Sequence, residues 1–180
     1  MAVSQERREW IAKVAVGGVY DDLSEDESDA LTDDDHDRPS REFFASVTDP
    51  EELHLFAGAY NWDGGVEDLL NVVRHPLCDR GTALLVYWRG QPGFDLEYAD
   101  RDAVPEYRQE VWDLSREIEG RVAAGQYLTA TQAFDPANDG GSDSRPKPRR
   151  VTRYGRDLPA TMYQAVAPDA FPGVAADGRV

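Results

Sequence analysis

Apolar residues recur at helical spacing along most of the first 125 positions of the chain. In the clearest case Leu53, Phe56 and Tyr60 fall at i, i+3 and i+7, which places them on one face of a helix. A shorter apolar stripe at 39–47 predicts one or two further helical turns. The same spacing predicts helices at 4–16, 49–61, 65–75, 80–89 and 103–124. We therefore expect a mostly α fold, a compact multi-helix domain over residues 1–136.

Residues suited to capping mark where several of these helices begin. Ser4 precedes the first helix, Thr48 or Asp49 precedes the helix at 49–61, and Asp79 precedes the one at 80–89. In the segment "NWDGG" we expect Asn61 to end one helix and Asp63 to cap the next. The stretch 83–88 is apolar on all sides and fits a buried strand by pattern alone, but its bracketing by Asp79 and Gly90 favours a helix.

The segment 21–38 breaks the helical pattern. Ten acidic residues lie between positions 21 and 37, with Leu23 and Leu31 as the only large aliphatic residues. Such a segment buries too little apolar area to offset the entropy of ordering it, so we predict a mobile acidic loop. Its candidate partner-binding residues are Asp21, Asp22, Asp33, Asp34 and Asp35.

The C-terminal part is predicted to be less ordered. After a short extended piece at 127–134, residues 137–180 read as a linker followed by a basic, partly disordered tail, in which 160–166 could form one or two helical turns. This tail could also fold against the acidic loop. Its basic residues are Arg145, Lys147, Arg149, Arg150, Arg153 and Arg156.

The net charge of the chain limits the kinds of molecule that it could bind. The chain has 35 acidic against 19 basic side chains and a net charge of −16, which disfavours nucleic acid and favours a basic protein. Adaptation to high salt explains the same acidity without any partner. We expect a cytoplasmic protein, because there is one cysteine, no secretion signal and no apolar run long enough to cross a membrane.

Two segments hold residue types that could carry chemistry. His75 and Cys78 have the spacing of a metal-ligand pair, but the four convergent ligands of a structural zinc site are not present as motifs. No nucleophile elbow or other catalytic constellation is spelled out, so we expect neither a metal nor a cofactor and assign no catalytic residue. The candidate functional or structural corner consists of Asn61, Trp62, Asp63, His75, Cys78 and Asp79.

The segments "LHLFAGAYNWDGG" and "LLNVVRHPLCDRGTALLVYW" carry a resemblance to a known family. Over about residues 53–88 the chain resembles the bacterial domain of unknown function number 4274 (DUF4274). The turn departs from that family's pattern at Gly64, where a second acid is usual, and this weakens a two-carboxylate site. The resemblance implies a small helical protein, and it implies an association with toxin-neutralising immunity proteins.

These observations lead to two main hypotheses. The first is an acidic protein-binding module, in its narrowest form an immunity-like inhibitor of a basic toxin or nuclease. The alternative is an enzyme or small-ligand-binding domain that uses the corners at 61–63 and 75–79.

Overall fold

The structure is a computed structural model that describes residues 3–146 and 157–167. Within those ranges it is mostly α-helical and contains no β-strand, which confirms the predicted fold class. The chain divides into two compact units, Met1–Leu77 and Cys78–Val180. This boundary is not the one after residue 136 that the composition indicates, and that domain division stays a prediction.

The described part of the first unit, residues 3–77, contains five α-helices. Ser4 and Asp49 cap the first and fourth of them as predicted, with side chains that accept hydrogen bonds from the backbone N–H groups of Arg7 and Glu51. The core is aromatic where α3 meets α4, because the Phe43 and Phe56 rings stack 4.6 Å apart and both are fully buried. The helices are α1 (Gln5–Val16), α2 (Glu25–Asp29), α3 (Asp33–Ser46), α4 (Pro50–Ala59) and α5 (Glu67–Arg74).

The acidic segment is largely helical, so the prediction of an unstructured loop over 21–38 is wrong for α2 and for the start of α3. The Glu27 carboxylate accepts the N–H of Ser24 at 3.0 Å, and the Asp35 carboxylate accepts the N–H of Thr32 at 2.9 Å. These are capping boxes. Acidic side chains in a first helical turn also lie at the positive end of the helix dipole. Composition predicted a loop, whereas the order of the same residues favours helix starts.

Helix α3 also runs through Pro39, where the apolar stripe alone suggested a start. Proline has no N–H, so the carbonyl four residues earlier, that of Asp35, loses its helical donor. The hydroxyl of Tyr20 donates to this carbonyl at 2.9 Å and replaces the missing bond. The helix therefore continues from Asp33 to Ser46.

The second unit is built around α6 (Arg80–Arg89) and α7 (Glu106–Ala123). Gly81 to Trp88 are all buried, which confirms the expectation of a helix that is apolar on every side. The hydroxyl of Tyr87 donates to the buried carboxylate of Glu119 at 2.8 Å and thereby joins the two helices.

Part of the predicted linker and tail packs against α6. Arg89 donates two hydrogen bonds to Asp139 at 3.2 and 3.1 Å, so the linker, which the sequence predicts to be less ordered, packs at this residue. Further along, the indole N–H of Trp88 donates to the carbonyl of Met162 at 2.8 Å, within a short 3₁₀ helix. Met162 is fully buried. The basic residues Lys147, Arg149, Arg150, Arg153 and Arg156 lie outside the described residues.

Candidate functional site

The first corner lies in the first unit and is a tight turn. The Asn61 side chain accepts the N–H of Asp63 at 3.1 Å and begins a 3₁₀ helix, Trp62–Gly64. Asp63 does not cap α5, because the residue before that helix is Val66 and it provides no side-chain hydrogen bond. The predicted roles of Asn61 as a helix end and Asp63 as a cap are therefore wrong. The chain changes direction at Gly65, whose φ of 84° favours glycine.

Trp62 and His75 complete the corner residues of this unit. The half-buried Trp62 ring meets Tyr60 edge to face at 6.4 Å and extends the aromatic core toward the surface. His75 Nδ1 accepts the N–H of Leu77 at 3.1 Å, so the neutral ring carries its proton on Nε2. Burial lowers the pKa of His75 and favours this neutral form.

Cys78 and Asp79 lie in the second unit and are both buried. Asp79 caps α6 as predicted, since its carboxylate accepts the N–H of Thr82 at 2.9 Å. The other carboxylate oxygen accepts the N–H of Gln132 at 2.6 Å and the hydroxyl of Thr131 at 3.1 Å. Its lone pairs are thus directed at the protein's own backbone and side chains. We interpret Asp79 as the residue that fastens the segment after α7 to the start of α6.

The Cys78 thiol is buried. Burial raises its pKa strongly, and the charge of Asp79 adds to that shift. Its Sγ donates to the carbonyl of Asp79 at 3.6 Å. A reactive cysteine needs a lowered pKa and access to solvent, and this thiol has the opposite properties.

The acidic face, defined here as residues 21–37, is exposed at most positions. Some of its acids are partly neutralised within the unit: Asp34 lies 2.8 Å from Arg41, Asp22 lies 3.4 Å from Lys13, and Asp35 pairs with Arg38. Four others, Glu25, Asp26, Asp29 and Asp33, are exposed and take part in none of these pairs. Asp21 lies in the turn before α2 and its carboxylate is near Gly18. The face presents a preformed acidic surface.

A groove of about 940 Å³ opens beside the acidic face in the first unit. It is bounded by the end of α1, one side of α3 and one side of α5. Of the predicted corner residues it includes Asn61 and His75 but neither Trp62 nor Asp63. The groove residues Val16, Glu67 and Asn71 were missed by sequence reasoning. The sequence gives little indication of them, because each is a single polar or exposed position on a helix whose pattern is defined by its apolar face.

The chain resembles one known protein family over part of its length. Residues 48–123 match the family model described as a domain of unknown function (DUF4274). The predicted resemblance is confirmed. The DUF4274 segment begins just before the cap of α4 and ends with the last residue of α7. It leaves out α1 to α3, and therefore the acidic face and two walls of the groove. Neither a curated protein nor a solved structure matches the chain.

Within residues 3–146 and 157–167, no three or more His, Cys, Asp or Glu side chains are grouped so that they could hold a metal ion. In the same ranges, none of the helices has the length and apolar character needed to span a membrane.

Proposed function

We propose that this chain is an acidic protein-binding module whose acidic face binds a basic protein. The narrower form of the proposal is an immunity-like inhibitor of a basic toxin or nuclease. The observation that supports it is the concentration of ten acids in residues 21–37, most of them exposed and eight of them held on α2 and α3. A preformed charged surface attracts an oppositely charged partner over distance and loses little entropy on binding.

The distribution of charge favours this proposal over adaptation to high salt. Solubility depends on net charge and does not require the acidic residues to be clustered. Here ten of the 35 acidic residues lie in 17 consecutive positions. The capping boxes around Glu27 and Asp35 also give that cluster a defined shape.

A reactive site at the two corners has weaker support. Asp79 is fully buried and already accepts three hydrogen bonds, and the thiol of Cys78 is buried with a raised pKa. Asn61 shapes its own turn. These groups have the physical properties of structural residues. The observation that favours a small-ligand site is the groove that Asn61 and His75 line.

Affinity purification of the full chain from its native cells, followed by mass spectrometry, tests the proposal. We expect a basic protein at fixed stoichiometry. Its association rate should fall at least about tenfold when ionic strength rises from about 0.05 to 0.5 M, since exposed charges are then screened. Recovery of the chain alone, or an association rate that salt does not change, contradicts the proposal.

A pair of charge-matched variants locates the interface. The variant Glu25→Gln, Asp26→Asn, Asp29→Asn removes three of the four negative charges of α2 and leaves the capping residue Glu27 in place. The control Asp102→Asn, Glu106→Gln, Glu110→Gln removes the same charge from exposed positions of the second unit. We expect only the α2 variant to slow association strongly. Equal slowing by both variants indicates attraction by net charge and contradicts a binding face at 21–37.

A further inference from the structure

Part of the lining of the groove in the first unit is apolar. It includes the buried Val14 and Ala15 of α1 and the half-buried Phe44 of α3. Val16, the last residue of α1, also lines the groove and keeps 49% of its surface exposed. A β-branched aliphatic side chain exposed in a concave surface gains free energy when a partner covers it.

The rim of the groove carries acidic groups. Asp37, Glu67 and Asp68 line it, and the two arginines there are Arg41 and Arg74. Arg41 is partly neutralised, because it lies 2.8 Å from Asp34 and 4.0 Å from Asp37. At one end the rim continues into the acidic face through Asp37.

The side chain of Tyr60 lines the groove near two of these acids. Burial raises the pKa of Tyr60 to about 12, and the charges of Asp68 and Glu67 contribute to the shift. Acidic groups beside apolar residues fit a ligand that is both cationic and apolar.

The shape of the groove indicates the secondary structure of its occupant. Its walls are helices, and within the described residues there is no strand edge on which an extended peptide could pair. Two turns of an α-helix are about 10 Å wide and about 11 Å long. The groove of about 940 Å³ is open to solvent, so such a segment can lie along its helical walls.

We propose that the groove binds a basic amphipathic helix of the partner protein, with its apolar side on Val16 and Phe44 and its Lys or Arg side chains beside Glu67 and Asp68. This inference rests on the proposed function and adds to it the kind of segment recognised. The acidic face then attracts the partner, and the groove supplies the apolar contact that the DUF4274 segment alone does not contain.

The test uses the full chain and a labelled peptide of about 14 residues made of Leu and Lys, with leucines at i, i+3, i+4 and i+7. The comparison peptide has the same composition with the leucines spread around the helix. We expect saturable binding of the first peptide and much weaker binding of the second. Equal binding of the two peptides, or no saturable binding up to about 1 mM, overturns the proposal.

Matched variants of the chain locate the binding. Val16→Ser and Glu67→Gln should each raise the peptide Kd about fivefold. Leu23→Ser and Glu42→Gln make the same kinds of change at exposed positions outside the groove and should leave the Kd within about twofold. Equal weakening by all four variants places the binding on the acidic surface in general, which overturns the groove proposal but not the proposed function.

Two outcomes separate this inference from the function on which it rests. Recovery of a basic protein whose binding is insensitive to Val16→Ser and Glu67→Gln overturns the groove proposal alone. Self-association that Val16→Ser abolishes makes a second copy of the chain the occupant and also overturns it. Failure to recover any basic partner, with the peptide still binding in the groove, contradicts the proposed function instead.

Discussion

The carboxylate of Asp79 accepts the backbone N–H of Gln132 at 2.6 Å, joining two residues 53 positions apart. A hydrogen bond between backbone groups lies beside it, from the N–H of Arg80 to the carbonyl of Thr129 at 2.9 Å. The start of α6 is therefore fixed to the segment that follows α7. The capping residue expected from sequence also holds a distant part of the second unit.

Replacing Asp79 should be costly. Asp79→Ala removes a fully buried acceptor and leaves the N–H groups of Thr82 and Gln132 without it. Since a buried donor without a partner carries its whole desolvation cost, we expect a loss of about 2–4 kcal/mol in the free energy of unfolding, measured by urea denaturation.

Asp63→Ala is the matched control for that measurement. Asp63 is exposed and caps no α-helix, so this change should stay within about 0.5 kcal/mol of the parent. Equal losses from the two variants would show that Asp79 does no more than an exposed turn residue.

Two glycines on helices should respond in opposite directions to alanine. A Cβ on Gly81 would lie 1.8 Å from the carbonyl oxygen of Gln132, so the backbone contact at the start of α6 must open. Gly120 lies within α7 with nothing in the path of a Cβ. We expect Gly81→Ala to destabilise by about 1–3 kcal/mol and Gly120→Ala to stabilise by about 0.5–1 kcal/mol, as measured by thermal and urea unfolding. Stabilisation by both changes would contradict the close approach of Gln132.

The helices with strong apolar faces could be predicted from sequence, and the capped acidic helices could not be predicted from composition. Periodicity is local, so the stripe at 49–61 predicts α4 within two residues at its C-terminal end. The prediction of a loop over 21–38 was wrong because it used the composition of the segment and not the sequence in which its residues occur. Ser24 with Glu27, and Thr32 with Asp35, each have the three-residue spacing of a capping box.

The groove could not be predicted, because it depends on contacts between separate elements. Val16 ends α1, Phe44 lies on α3 and Glu67 begins α5, and nothing in their spacing shows that they line one surface. The position of Pro39 inside α3 could not be predicted for the same reason. The carbonyl of Asp35, which lacks a helical donor because of Pro39, accepts a hydrogen bond from the hydroxyl of Tyr20, 19 residues before the proline. The sequence contains these relationships only through the packing of the whole unit.

The Cys78 thiol should be inert in the folded protein. It is buried, and burial together with the charge of Asp79 raises its pKa, so little thiolate forms at neutral pH. We expect reaction with a disulfide reagent at pH 8 to be at least about 100-fold slower in buffer than in denaturing urea, followed by the absorbance of the released thiolate. A native rate equal to that of an unfolded thiol would instead support a reactive corner.

Stability should depend on pH through Glu52. Burial alone would raise its pKa, but hydrogen bonds from the N–H of Thr48 and from Arg7, with the charge of Arg7, hold the pKa of Glu52 below its ordinary value of 4.5. The contacts are short, with Arg7 Nε at 2.6 Å and Thr48 N at 3.1 Å from the carboxylate. A depressed pKa means that the unfolded chain binds more protons below pH 4.5. The stabilisation is therefore complete above that pH and is lost as the pH falls toward the folded value.

Urea denaturation between about pH 3 and pH 6 measures this contribution. Glu52→Gln should reduce the slope of the unfolding free energy below pH 4.5, and Arg7→Gln should reduce it as well because the pKa of Glu52 then rises. Arg8→Gln removes the same charge from α1 but leaves both partners of Glu52 in place, so it should keep the slope. Part of the slope persists in every variant, because hydrogen bonds from Ser24 and Thr32 also lower the pKa of Glu27 and Asp35. If Glu52→Gln and the parent had the same slope, the contact between α1 and α4 would not be coupled to this proton.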